Sequence, residues 1–107
     1  MLKRRSDFQR VYHTGRSWAN RYFVLYVFES DRLAGKIGFA AGKKLGCAVK
    51  RNRVKRLMRE CYRKNQLQLK TGLAMLLVAR HPLSEVKYDV AERAFLQLGS
   101  KAAIFKD

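Results

Sequence analysis

The alternation of apolar and polar residues predicts a sheet built on three main strands. Residues 21–29 (RYFVLYVFE) are β-branched and aromatic throughout, which is typical of a central strand. After a polar turn, residues 36–41 (KIGFAA) are expected to pair back on it as a second strand. Residues 74–79 (AMLLVA) predict a last strand that is buried on both faces, and residues 17–20 leave room for a short fourth strand. Because successive side chains of a strand point to opposite faces, the central strand is predicted to have two distinct faces. One face carries Tyr22, Val24, Tyr26 and Phe28, and the other carries Phe23, Leu25 and Val27.

Two helices are predicted from apolar spacing and end signals at the two ends of the chain. The first covers residues 6–13, where Ser6 and Gln9 have the spacing of a capping box. Phe8, Val11 and Tyr12 fall at i, i+3 and i+4 on its apolar side. The last helix runs from Tyr88 to Ser100 and is expected to stop near Gly99, after an apolar face formed by Ala91, Ala94, Phe95 and Leu98.

A long helix over residues 49–65 is predicted to be apolar on one side and cationic on the other three. At 100° per residue, an arc of about 80° collects Lys50, Val54, Leu57, Met58 and Cys61, whose apolar members would anchor the helix to the sheet. The opposite side carries Asn52, Arg56, Arg59 and Arg63, and the two flanks carry Arg51 with Lys55 and Arg53 with Lys64. Solvated helix surfaces normally mix both charge signs, whereas residues 43–64 hold ten basic residues and one acid.

The order of these elements predicts an α+β fold, a two-layer single domain over residues 1–107 with a sheet of about four strands. Its 24 Lys and Arg against 8 Asp and Glu give a net charge of +16, which is costly unless a polyanion neutralises it. A nucleic acid is therefore the expected partner. No apolar run approaches the roughly 20 residues of a membrane span, and the first residues do not form a signal sequence, so we expect a cytoplasmic protein with no membrane partner.

Catalytic and metal-binding patterns are not evident in the sequence. The eight acids are scattered, no Gly-rich phosphate loop precedes a helix, and His13 and His81 are isolated. Cys47 and Cys61 stand fourteen apart without the paired spacing of a zinc site. We therefore expect no catalytic residue, no bound metal or cofactor, and two reduced thiols that act as small hydrophobic groups.

RNA binding requires cations that track phosphates, groups that form directed hydrogen bonds and aromatic faces for unstacked bases. The Phe8 and Tyr12 side of the first helix and the Tyr26 face of the central strand can form a cleft with Lys43 and Lys44 at its edge. The alternative for these aromatic residues is an ordinary core.

Two other classes of nucleic-acid-binding protein are compatible with the charge alone. The first is a structural RNA-binding protein, such as a ribosomal component. The second is a helix-turn-helix DNA-binding protein, but that motif needs a second short helix, which the sequence lacks.

Residues 41–60 (AGKKLGCAVKRNRVKRLMRE) closely resemble the "RNR" signature of the protein subunit of bacterial ribonuclease P. Residues 7–12 (DFQRVY), which precede Gly15, are similar to the opening helix of that family. Residues 19–26 (ANRYFVLY) are similar to its first long strand. The resemblance extends over about residues 4–100 and argues against both alternative classes.

The resemblance implies a fold in which the basic helix belongs to a left-handed β-α-β crossover, against the usual right-handed rule. It also implies that the RNA subunit cleaves precursor tRNA with Mg²⁺ bound mainly by RNA, while the protein is a non-catalytic subunit that holds substrate and stabilises the RNA fold. Its partners would be ribonuclease P RNA and precursor tRNA, and no DNA is expected. The residues facing the catalytic RNA would be Arg51, Asn52, Arg53, Lys55, Arg56 and Arg59. The residues lining a cleft for the 5′ leader of precursor tRNA would be Phe8, Tyr12, Val24, Tyr26, Lys43 and Lys44.

Overall fold

A computed structural model describes residues 16–29, 36–70 and 72–106, and its α+β architecture confirms the predicted fold class. The four strands are β1 (Arg16–Ala19), β2 (Phe23–Glu29), β3 (Ile37–Ala40) and β4 (Leu73–Ala79). The two α-helices are α1 (Ala48–Asn65) and α2 (Tyr88–Ala102). Short 3₁₀ turns occupy Lys43–Leu45, Gln66–Gln68 and His81–Glu85. The predicted first helix, with Phe8 and Tyr12, lies outside the described residues.

The strands form one sheet in the order β1-β2-β4-β3. β2 is antiparallel to β1 and to β4, and β3 is parallel to β4. The expectation that residues 36–41 pair back on residues 21–29 is therefore wrong, because β4 pairs with β2 along its whole length, from Phe23 with Ala79 to Glu29 with Leu73. β4 has seven residues and pairs with β2 along all of them, whereas the four-residue β3 pairs only with β4 and is left at the sheet edge.

α1 connects the parallel strands β3 and β4, which makes the basic helix the crossover of a β-α-β unit. This connectivity is the one that the family resemblance implied. The left hand of the crossover stays a prediction.

Both helices pack on the same face of the sheet and form the main core with it. The sheet side chains on this face include Phe23, Leu25, Met75 and Leu77, in agreement with the predicted alternation. Tyr22 is an exception, since it packs against this core although it was predicted to share a face with Val24. It precedes β2 in a turn where the Asn20 side-chain oxygen accepts hydrogen bonds from the Tyr22 and Phe23 N–H groups (3.0 and 2.9 Å), so strand alternation does not apply to it. The helix residues in this core include Val54, Met58, Cys61, Ala91, Ala94, Phe95 and Leu98.

The second face of the sheet carries a smaller apolar cluster around Ala74 and Leu76 of β4, both of which are buried. The prediction that the last strand is buried on both faces is thus confirmed. We call this cluster the second sheet face, and its half-buried members are Tyr26, Phe28, Ala40 and Val78.

α2 does not stop at Gly99 as the sequence suggested. It continues to Ala102, and the left-handed residue that ends it is Ala103 (φ 56°), whose N–H reaches the Gly99 and Ser100 carbonyls. Gly99 is buried inside the helix, where a Cβ atom would overlap the Phe105 ring and lie 3.3 Å from Ile104 Cδ1. The glycine therefore allows the chain that follows α2 to fold back closely on the helix, rather than ending it.

We expect Gly99→Ala to lower the free energy of unfolding by about 1–2 kcal/mol, because the strain of overpacking exceeds the gain in helix propensity. For a domain of this size the melting temperature should fall by about 5–10 °C. Gly42→Ala is the matched control, since a Cβ there meets no described atom within 4 Å. Thermal unfolding followed by circular dichroism measures both variants, and an unchanged melting temperature for Gly99→Ala would contradict the packing role.

Candidate nucleic-acid interface

α1 is anchored to the core by three fully buried side chains, Val54, Met58 and Cys61. Leu57 is half-buried beside them. Lys50, which the helical wheel placed on the same arc, is exposed. Its side chain runs back over Gly46, with Cδ 3.1 Å from the position of a Gly46 Cβ, so the buried arc begins one turn later than predicted.

The side of α1 opposite the core is exposed and polar, as the wheel predicted. The predicted RNA-facing residues differ in exposure, since Arg51 and Lys55 on one flank are half-buried. The exposed ones among them are Asn52, Arg53, Arg56 and Arg59. A rise of about 1.5 Å per residue spreads the side from Asn52 to Arg59 over roughly 10 Å, which is long enough to contact more than one phosphate group.

Arg63 lies on the same side but is paired within the helix. Its Nε and Nη2 atoms donate to the two carboxylate oxygens of Glu60 at 3.2 and 2.5 Å. This hydrogen-bonded cation holds the pKa of the half-buried Glu60 below its ordinary value, so the carboxylate is ionised at neutral pH. Part of the charge of Arg63 is thus neutralised within the helix, which the i, i+3 spacing of the two residues could have indicated.

The N-terminus of α1 is an electropositive environment. Gly46 (φ 117°) has a backbone conformation that favours glycine and turns the chain from the Lys43–Leu45 turn into α1. The first turn of α1 contains no acid, and the positive end of the helix dipole adds to the charges of Lys50 and Arg51. An anion is therefore favoured at this end of α1.

The two cysteines respond differently to their surroundings. Cys47 precedes α1 and is exposed, which corrects the expectation that both thiols act as small hydrophobic groups. The nearby Lys50 backbone N–H lowers the pKa of the Cys47 thiol and the Lys50 charge adds to the effect, although Cys47 makes no side-chain hydrogen bond that caps α1. Cys61 is buried in the core, and this burial raises the pKa of its thiol to about 12. The lowered pKa of Cys47 agrees with a backbone and a charge that favour an anion where α1 begins.

The structure places two of the predicted leader-binding residues, Val24 and Tyr26, half-buried on β2. They pair with Val78 and Leu76 of β4, and Tyr26 belongs to the second sheet face. Lys43 and Lys44 are exposed in the turn that begins three residues after Ala40, another member of that face. The other predicted leader-binding residues, Phe8 and Tyr12, lie outside the described residues.

A polar network between α1 and α2 was not predicted from the sequence. The buried Asn65 side-chain nitrogen donates to the Cys61 carbonyl at 2.8 Å and to Glu92 Oε2 at 3.3 Å. The Tyr88 hydroxyl donates to the same Glu92 oxygen at 2.5 Å, and burial together with this bond raises the pKa of Tyr88. The network joins the end of α1 to the start of α2, and periodicity within one helix gives no signal for it.

Two classes of site are absent from the part of the chain that the structure describes. Residues 16–29, 36–70 and 72–106 contain no group of three or more His, Cys, Asp or Glu side chains that could hold a metal ion. Within the same ranges, no helix has both the length and the apolar character needed to cross a membrane.

Comparison with known proteins gives the family directly. The Ribonuclease P family model matches residues 1–103. The ribonuclease P protein component of Natranaerobius thermophilus is 40% identical over 105 residues, which cover 98% of this chain and 91% of the relative. The protein of the same description from Alkaliphilus metalliredigens is 41% identical over 97 residues, covering 91% and 87%.

Solved structures agree with the sequence relatives. The RNase P protein of Staphylococcus aureus superposes with a TM-score of 0.88 at 30% identity and covers 98% of this chain and 96% of its own. The RNase P protein of Thermotoga maritima superposes with a TM-score of 0.82 at 30% identity and covers 91% and 92%. The match includes the basic helix and the strands on either side of it. The chain therefore belongs to the family of bacterial ribonuclease P protein components.

Proposed function

We propose that this chain is the RNA-binding, non-catalytic subunit of ribonuclease P, which assists removal of the 5′ leader from precursor tRNA. Membership of the family implies an RNA partner. The observation that carries the finer proposal is α1 itself, a helix with three fully buried apolar side chains on one side and exposed cations on the opposite side. A surface of one charge sign costs energy in isolation and is neutralised by a polyanion.

In this proposal α1 binds the catalytic RNA. The exposed arginines supply charged hydrogen bonds to phosphates, and Asn52 supplies a directed polar contact. The positive N-terminus of α1, where the Lys50 backbone N–H and the Lys50 charge lower the pKa of Cys47, favours a phosphate at the same surface. The residues assigned to this contact are Arg51, Asn52, Arg53, Lys55, Arg56 and Arg59.

The leader of precursor tRNA is assigned to the second sheet face. A single-stranded leader offers unstacked bases, which bind aromatic and apolar surfaces, and a phosphate backbone, which binds lysines. Tyr26 and Val24 supply the apolar surface, and Lys43 and Lys44 lie in the turn after β3. Phe8 and Tyr12 complete the assigned set.

The chemistry of cleavage is assigned to the RNA. Phosphate oxygens are the hard ligands that Mg²⁺ prefers, so the magnesium ions of the reaction belong with the RNA subunit in this proposal. The role of the protein is to hold two polyanions together and reduce their mutual repulsion.

Leader-dependent affinity tests the proposal. We expect Tyr26→Ala in the reconstituted ribonucleoprotein to weaken binding of precursor tRNA with several leader nucleotides by about 5- to 150-fold, the range of one lost stacking contact. Binding of mature tRNA should hardly change. Tyr26→Phe is the matched control, because it keeps the ring and removes only the hydroxyl.

Equilibrium binding of both RNAs to the three proteins measures the effect. If Tyr26→Ala weakens precursor and mature tRNA equally, Tyr26 is a core residue and the assignment of the leader to the second sheet face is wrong.

A further inference from the structure

A pocket of about 590 Å³ lies between α1 and the start of α2, away from the second sheet face. We call it the α1–α2 pocket. Its apolar surface comes from Leu57 of α1 and Tyr88 of α2. Its cationic rim consists of Arg53, Arg56, Arg59 and Lys64. Phosphate neutralisation alone requires only exposed cations, so the apolar surface indicates a ligand with a flat apolar part as well as negative charge.

The aromatic wall of this pocket is fixed in position before any ligand binds. The Tyr88 hydroxyl is held by Glu92 at 2.5 Å, and Glu92 in turn accepts a hydrogen bond from the buried Asn65. The Lys64 ammonium lies 4.7 Å from the centroid of the Tyr88 ring, which keeps a positive charge at the wall. A ring that is already ordered loses little entropy when a second flat group stacks on it.

The rim is also partly ordered by α1 and its neighbours. Arg53 Nη1 donates to the Ser84 carbonyl at 3.2 Å, across from α1. Glu60, which also lines the pocket, has its carboxylate oriented by Arg63. An ionised carboxylate repels phosphate and only accepts hydrogen bonds, so it favours a neutral group with N–H donors inside the pocket and leaves phosphates to the arginines.

We propose that the α1–α2 pocket binds an unpaired, amino-bearing base extruded from the ribonuclease P RNA, with the base against Tyr88 and Leu57 and its flanking phosphates on the rim arginines. This inference rests on the proposed function, in which α1 contacts that RNA. The inference adds recognition of one base to the phosphate contacts that the exposed arginines of α1 are proposed to make. Adenine, guanine and cytosine present an amino group with two N–H donors to the Glu60 carboxylate, whereas uracil offers only its single ring N–H.

The test separates stacking from charge by the salt dependence of binding. We expect Tyr88→Leu to weaken binding of ribonuclease P RNA by about 5- to 150-fold with an unchanged slope of log K against log salt, because a ring is lost and no phosphate contact is. Tyr88→Phe keeps the ring and should retain most of the affinity. Tyr22→Leu makes the same change outside the pocket and should bind as the unmodified protein does.

Chemical probing of the bound RNA at nucleotide resolution gives a second readout. One or two unpaired nucleotides should be protected by the unmodified protein and by Tyr88→Phe, and should regain reactivity with Tyr88→Leu. Leu57→Trp places a larger side chain on the apolar surface of the pocket without changing Tyr88 or any cation, so it should hinder the base and reproduce the loss even if Tyr88→Leu folds poorly.

Three results would overturn the inference. The first is that Tyr88→Leu and Leu57→Trp both bind the RNA with wild-type affinity, while replacing Arg56 and Arg59 weakens binding. This result would exclude the base site but leave the proposed RNA interface on α1 intact. The second is a reduced salt slope for Tyr88→Leu, which would mean that only phosphate contacts had changed. The third is wild-type affinity for all of these variants, which would remove the proposed RNA interface on α1 together with the pocket.

Discussion

Replacing Arg56 and Arg59 together by alanine is expected to weaken binding of ribonuclease P RNA by about 100-fold at low salt, since each charged hydrogen bond contributes ~1.5 kcal/mol. Both side chains are exposed on the side of α1 that faces away from the core. Their removal creates no cavity and breaks no buried contact. The melting temperature should therefore stay close to that of the unmodified protein.

The salt dependence of the same variant identifies the kind of contact that was lost. Each phosphate contact contributes a slope of roughly 0.9 in a plot of log K against log salt, so the double variant should flatten the slope by about 1–2. Arg93→Ala with Lys101→Ala is the matched control, because it removes the same charge from exposed positions on α2. The control should lose much less affinity and keep its slope.

Filter binding or fluorescence titration between about 50 and 200 mM salt covers the range in which the effect is large. A double variant that folds normally and keeps both the affinity and the slope of the unmodified protein would exclude α1 as the RNA interface. Equal losses for the double variant and its control would mean that net charge matters but that the position of the charge does not.

The predictable part of this fold is the part that depends on neighbours along the chain. The period of two in residues 23–28 and the apolar arc of Val54, Met58 and Cys61 each reflect a single element against a single core, and both are confirmed. The positive charge of α1 could also be predicted, because the sequence alone shows ten basic side chains between positions 43 and 64.

The predictions were wrong where packing between distant parts of the chain overrode a rule that holds for neighbouring residues or strands. Glycine near the end of a helical pattern usually marks a C-cap, but Gly99 is required by the close approach of Phe105, and Ala103 adopts the left-handed conformation instead. Adjacent strands in a sequence usually pair, but β4 is apolar on both sides and takes the place beside β2 that β3 was expected to fill.

The α1–α2 pocket could not have been found in the sequence. Its two apolar members, Leu57 and Tyr88, are 31 residues apart, and the network that fixes Tyr88 joins Asn65 to Glu92 across two helices. Each of these residues taken alone is an ordinary helix residue. Only the packing of α2 against the same sheet face as α1 brings them together.

Cleavage of precursor tRNA across a magnesium series is the broadest test of the proposed division of labour. The protein alone should show no cleavage, a bacterial ribonuclease P RNA alone should cleave slowly at high Mg²⁺, and the mixture should gain most at low Mg²⁺. The reason is electrostatic, because two RNAs repel each other most when few ions screen their phosphates. A protein with a net charge of +16 supplies that screening at fixed positions.

The variants described above make this assay specific for the two surfaces. Loss of Arg56 and Arg59 should raise the Mg²⁺ concentration needed for half-maximal cleavage, and high Mg²⁺ should restore the rate, because diffusible cations replace those that α1 no longer holds. Tyr26→Ala should slow cleavage only of substrates that carry a leader. High Mg²⁺ should restore the rate of this variant less than that of the arginine variant, since a divalent ion does not replace a stacking surface. Robust cleavage by the purified protein without RNA, abolished by replacing one of its carboxylates, would show instead that the protein is itself a nuclease.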